Sequence, residues 1–81
     1  MTTSLNLNSV KAKLSSYREQ FYENMNVFNW YNALYYYETL NTVAAFMCTF
    51  IPKNEQDEFI KEFDIADEDY QYVFSHWKEL L

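Results

Sequence analysis

Eighty-one residues with no glycine, one proline and a net charge of −6 describe one small domain, residues 1–81. Hairpins and left-handed turns usually need glycine, so this composition disfavours a β-rich fold and favours helix. A 49% hydrophobic content excludes a disordered tail, and 21% aromatic content supplies core area that so short a chain otherwise lacks.

In chain order, residues 1–8 read as a partly ordered lead-in. Leu7, Val10, Leu14, Tyr17 and Phe21 then recur at spacings of 3, 4, 3 and 4, the period of an amphipathic helix. Asn8 or Ser9 is the expected cap. Met25 and Phe28 extend the stripe, so the helix is expected to run past residue 24, with Asn24, Asn26 and Asn29 supplying the turn chemistry. A second helix is predicted from Asn29 to Ile51, ended by Pro52. Six of the ten residues Phe28–Tyr37 at its start are aromatic. Three consecutive tyrosines, Tyr35, Tyr36 and Tyr37, sweep about 200° of its surface, more than one small core can absorb. At least one of them is therefore expected at the surface or in an interface. Trp30, Leu34, Leu40, Phe46 and Phe50 add to a helix that is either buried on several sides or shared with a partner.

Asn54 is the expected cap of a short third helix, with Asp57 in a capping-box position and Phe59, Ile60 and Phe63 turned inward. Asp57 and Lys61 form a favourable i,i+4 pair, while Glu58 and Glu62 repel. Asp67 is the expected cap of a fourth helix with core face Tyr70, Val73, Phe74, Trp77 and Leu80 or Leu81. Glu68 and Asp69 suit its positive first turn. The four-residue connection Asp64–Asp67 predicts that these two helices are neighbours. The predicted fold is therefore all-α: a small compact four-helix bundle, two longer helices and then two short acidic ones, with the second helix at its centre.

Catalysis finds little support. His76 is the sole histidine and Cys48 the sole cysteine, so a His/Cys metal set is missing. The acids Asp64, Asp67, Glu68 and Asp69 lack the glycine of a calcium loop and serve as helix-end residues. Cys48 lies in the apolar run Ala-Ala-Phe-Met-Cys-Thr-Phe, where a thiol is inert, and Gly-rich phosphate loops are impossible without glycine. The expectation is a non-enzyme with no cofactor and no metal. Trp30-x-x-Ala33…Tyr37 touches the tetratricopeptide pattern, but the second copy and the glycine are missing. Nor is a membrane span expected, because the fully apolar stretch, about Val43–Ile51, falls well short of the ~20 residues required. With no apolar leader and no partner for Cys48, the chain is expected in the cytoplasm.

The charge is lopsided. Residues 1–52 carry three acids and three bases, whereas residues 53–81 carry nine acids and three bases, the whole of the −6. Direct nucleic-acid binding is disfavoured by that sign. The expected function is a non-enzymatic binding protein that attaches to a larger basic protein, such as a nucleic-acid-binding enzyme, and inhibits or regulates it by mimicking phosphate charge. Glu55, Asp57, Glu58, Glu62, Asp67, Glu68 and Asp69 would steer it, and Tyr36 and Tyr72 would anchor it. In size, acidity and aromatic content the chain is broadly similar to small host-takeover proteins of phages and mobile elements, a likeness of composition only. The alternative is a structural or adaptor homodimer, assembled through the aromatic second helix or the Leu7–Phe28 stripe.

Overall fold

The computed structural model describes residues 7–81. They form four α-helices, α1 (Leu7–Asn26), α2 (Trp30–Cys48), α3 (Lys53–Phe63) and α4 (Asp67–Glu79), and no strand. Helices α1 and α2 make an antiparallel hairpin joined by three residues. Its seam is closed by Leu14 and Phe21 of α1 against Ala33, Leu40 and Met47 of α2, all buried. The seven-residue spacing of the α2 positions, two turns apart, keeps them on one line of the helix. Ala33 is fully buried, and its small side chain lets the α1 backbone come close.

The remaining helices lie one after the other along this hairpin. Helix α3 sits by the start of α1 and the end of α2, with Phe59 and Phe63 buried edge to face, ring centroids 5.5 Å apart. Helix α4 runs antiparallel to the first half of α2: Tyr70 stacks on Tyr37 at 4.2 Å and His76 on Trp30 at 4.7 Å. Each of the other three helices packs on α2, so it occupies the centre as its apolar character required.

Several local expectations are corrected. The part of the lead-in at residues 1–6 lies outside the described residues, but Leu7 and Asn8 are already helical, and Asn8 and Ser9 sit inside the first turn instead of capping it. Helix α1 ends at Asn26, so Phe28 leaves the apolar stripe and is 69% exposed. Asn29 does cap α2, its Oδ1 accepting from the amide of Asn32. Helix α2 stops at Cys48 and not Ile51. The Thr49 hydroxyl donates to the Phe46 carbonyl, and Gln56 Nε2 donates to the carbonyls of Cys48 and Ile51 at 2.8 and 3.1 Å. The bonds to Phe46 and Cys48 satisfy helix-end acceptors four or more residues before the proline is reached.

Pro52, not Asn54, takes the cap position of α3, and Ala66, not Asp67, that of α4; neither supplies a side-chain cap. A backbone already extended at Pro52 and Ala66 directs the chain into each helix without one. Asp67 thus acts through the helix dipole only, and in α3 that place falls to Glu55, because Asp57 lies beyond the first turn. Among the described residues the ion pair that forms is Lys11–Glu62 at 3.4 Å, between α1 and α3, and not Asp57–Lys61. Ile60, Leu80 and Leu81 are exposed, while Ile65 in the connection is buried. The connection itself is extended at Asp64 and Ala66, and Arg18 Nε donates to the Asp64 carbonyl at 2.9 Å. This extended step pinned to α1 carries α4 away from α3, so the two short helices have no extensive packing against each other.

The turn between α1 and α2 holds Phe28 at φ 63°, the left-handed region. That conformation costs a non-glycine residue about 1–2 kcal/mol. Its ring returns part of this against Trp30, 5.7 Å away. Phe28→Gly is expected to stay within about 1 kcal/mol of the parent, because relief of strain offsets the lost ring contact and the added chain entropy. Phe28→Val, β-branched, should lose about 1–2 kcal/mol relative to the glycine variant in urea unfolding. The reverse order would mean that the ring and not the backbone governs this turn.

Candidate functional site

Three helices cannot cover all of α2. Its outward row is Tyr31, Tyr35, Glu38, Thr42 and Phe46, which at 100° per residue fall within an arc of about 80°. Tyr31 is 70% exposed, Tyr35 57% and Phe46 60%. Of the three consecutive tyrosines, Tyr35 is therefore the exposed one. Tyr36 turns toward Tyr17 of α1 at 6.3 Å, and Tyr37 lies between Phe21 and Tyr70; both are half-buried.

Where this row passes α4 a groove opens, of about 370 Å³. Helix α2 supplies one wall from Tyr31, Leu34, Tyr35 and Glu38, and α4 supplies the other from Tyr70, Phe74 and Trp77. Both sets are spaced one and two turns apart, so each wall is one face of one helix. The helices touch at Tyr37–Tyr70 and at Trp30, which Tyr72 and His76 enclose, and the next row outward is left unfilled. Glu38 is the only charged residue in the lining, and among the described residues it has no hydrogen-bond or ion-pair partner. The Tyr70 hydroxyl is held above the ordinary tyrosine value of 10.0, first by burial and then by the negative field of Tyr37, Glu38 and Asp67.

The acids singled out from the sequence do not form one surface. Glu55, Glu58 and Glu62 share a face of α3 and, with Lys11 of α1, line a groove of about 210 Å³. Asp57 projects about 200° around the helix from Glu55. Asp67 and Glu68 are exposed at the start of α4. Asp69 is committed internally, accepting from the Tyr22 hydroxyl at 2.7 Å. Of the two proposed anchors, Tyr36 is interhelical. Tyr72 is exposed but lies against Trp30 at 5.6 Å and His76 at 4.4 Å. His76 Nδ1 donates to the Tyr72 carbonyl at 2.8 Å, since a carbonyl only accepts. None of the residues that line the groove is among the binding residues expected from the sequence: not Tyr31, Tyr35 and Glu38 of α2, nor Leu34 beside them, nor Tyr70, Phe74 and Trp77 of α4. A helical projection of α2 carries the signal for the first three, once α1 is assigned to the Ala33–Leu40–Met47 line.

Among the described residues no three His, Cys, Asp or Glu side chains are placed to hold a metal ion, and no helix is long and apolar enough to cross a membrane. No protein-family model, curated protein or solved structure matches the chain. The site is therefore read from its own chemistry: an aromatic cleft with a single unneutralised carboxylate.

Tyr22 carries a pH consequence. Its hydroxyl is raised above 10.0 by burial, then by the hydrogen bond to Asp69 and the charge of Asp69, against smaller opposing pulls from a backbone hydrogen bond at Ala66 and from Arg18, whose guanidinium lies 5.1 Å from the ring. Folded Tyr22 and Tyr70 thus hold their protons more tightly than the unfolded chain does. The stability they contribute is complete below the unfolded value and is lost as pH rises through the folded one. Urea midpoints should hold from about pH 8 to 9.5 and fall above the 10.0 of free tyrosine. Tyr22→Phe should show a shallower alkaline fall than the parent. Identical slopes would assign the titration to other groups.

Proposed function

We propose that this protein is a non-enzymatic binding protein. It docks on a larger, basic protein through the outward row of α2, and thereby inhibits or regulates it. The observation that carries this reading is the exposure of Tyr31, Tyr35 and Phe46 along one row of α2, which Glu38 and Thr42 share. Large amphipathic rings are the usual anchors of interfaces, because each gives wide contact area with one polar tip. The surplus of acids on α3 and at the start of α4 supplies the second element. Charge of one sign speeds encounter with a partner of the other sign and is screened by salt. Imitation of nucleic-acid phosphate draws less support, because the acids are divided between two places and Lys11 interrupts the α3 set. The acids are better suited to steering than to forming the contact itself.

Self-association is the second reading. Its support is the same row, which lies on the half of the chain with no net charge. Two copies could meet there without bringing their acidic ends together.

Tyr31→Ser, Tyr35→Ser and Phe46→Ser combined form the decisive variant. Each residue is exposed, so the unfolding midpoint should move little, by about 0.5 kcal/mol or less per site. Affinity capture from cells that naturally make the protein should recover a basic protein at about 50 mM salt. The bound fraction should fall steeply near 1 M, where the screening length is about 3 Å, and the triple variant should recover nothing at either salt. Sedimentation at micromolar concentration should show a monomer. A stable dimer that the triple variant dissociates, with no salt-sensitive partner, would replace this reading by the second.

A further inference from the structure

We infer that the α2–α4 groove is a receptor for an arginine side chain, presented by a basic segment of the partner protein. The inference rests on the reading of the α2 row as a docking face and names what that face takes.

Three observations point to a planar cation. The walls are aromatic, and the faces of tyrosine and tryptophan rings carry negative potential that attracts cations. Glu38 stands among them with no internal partner, and helix α2 contains no lysine or arginine to neutralise it. The α4 wall also carries its rings in sequence along the helix: Tyr70 and Phe74 at 18° and Phe74 and Trp77 at 36°, with centroids 5.7 and 5.8 Å apart. A flat guanidinium can lie on this wall and still direct its N–H fork to the Glu38 carboxylate across the cleft. An ammonium is compact and strongly hydrated, and it loses water to enter without gaining the stack. A neutral apolar side chain would leave Glu38 unpaired beside it. Asp67, which acts on Tyr70 from the start of α4, adds to the negative field. Lys78 follows Trp77 directly but does not line the groove, so the lining carries no positive charge.

The test uses the full chain, 15N-labelled, titrated with N-acetyl-arginine amide, and separately with the lysine and glutamine amides as the non-planar cation and the planar neutral probe. Saturable shifts are expected at the amides of Tyr31, Tyr35 and Glu38 and at the Trp77 indole N–H. They should saturate at about millimolar concentration, the range of a single side-chain contact. Arginine should bind more tightly than lysine, and the glutamine amide should not saturate. Glu38→Gln should weaken arginine by about fivefold, the scale of one exposed charge contact, while Glu58→Gln on α3 should leave it unchanged. Shifts confined to the Glu55–Glu58–Glu62 face, an arginine response no stronger than that of glutamine, or an undiminished Glu38→Gln titration would each overturn the inference. If the groove ignores arginine while partner capture still depends on the α2 row, only this inference falls. If capture is also independent of the row, the reading beneath it falls too.

Discussion

Helix α2 is too apolar for any single neighbour to cover, and the arrangement of the chain follows from that constraint. Helix α1 takes the line of Ala33, Leu40 and Met47, where a small residue and two flexible ones permit a close approach. The remaining flanks are divided lengthwise, α3 at one end and α4 at the other. Eleven and thirteen residues of helix, about 16 and 20 Å at 1.5 Å per residue, together exceed the hairpin's length of about 30 Å, so end to end they cover it from one end to the other. Packed side by side on one another, they would leave half of α2 in water. The extended step at Asp64–Ala66, held to α1 by Arg18 and sealed by Ile65, sets them end to end.

Helix number, order and type were legible from periodicity, because burial of one face at a 3.6-residue repeat is a strong signal. Helix ends were not, and the misassignments share a cause. Asn54 and Asp67 are good capping residues, but Pro52 and Ala66 already hold the extended backbone that precedes a helix. Each polar residue was thereby moved inside the first turn. Similarly, Cys48 ends α2 ahead of the proline because Gln56, eight residues on, bonds its carbonyl. A tertiary contact of that kind leaves no mark in local sequence. Ile65 was missed for a related reason: a connection looks polar until its one apolar residue is seen to plug the core.

The candidate site was half legible. Three consecutive tyrosines exceed what one core can hold, and one of them is indeed exposed. Which one depends on where α1 lies, and that in turn depends on Ala33, a residue that no count of aromatics would select. Acids are the opposite case. They dominate the composition of the last third, yet the fold distributes them: Asp69 to Tyr22, Glu62 to Lys11, the rest over separate faces. Net charge is a sum and says nothing of arrangement. Glu38, one of three acids in the neutral part of the chain, stands apart from these because it has no partner among the described residues and sits among the rings of the groove.

Phe28 shows how the exposed aromatic face is held in place. A left-handed turn residue of this bulk is costly, and asparagines on either side could have taken its place at lower strain. Its ring instead meets Trp30, which is enclosed further by Tyr72 and His76. That cluster locks the first turn of α2 to the last turns of α4, and so fixes the spacing between the two groove walls. Tyr31 and Trp77, the outermost residues of those walls, each adjoin a member of the cluster in sequence. A partly exposed ring cluster thus sets the width of the cleft beside it, and the strain at Phe28 is stored next to the feature it helps to shape.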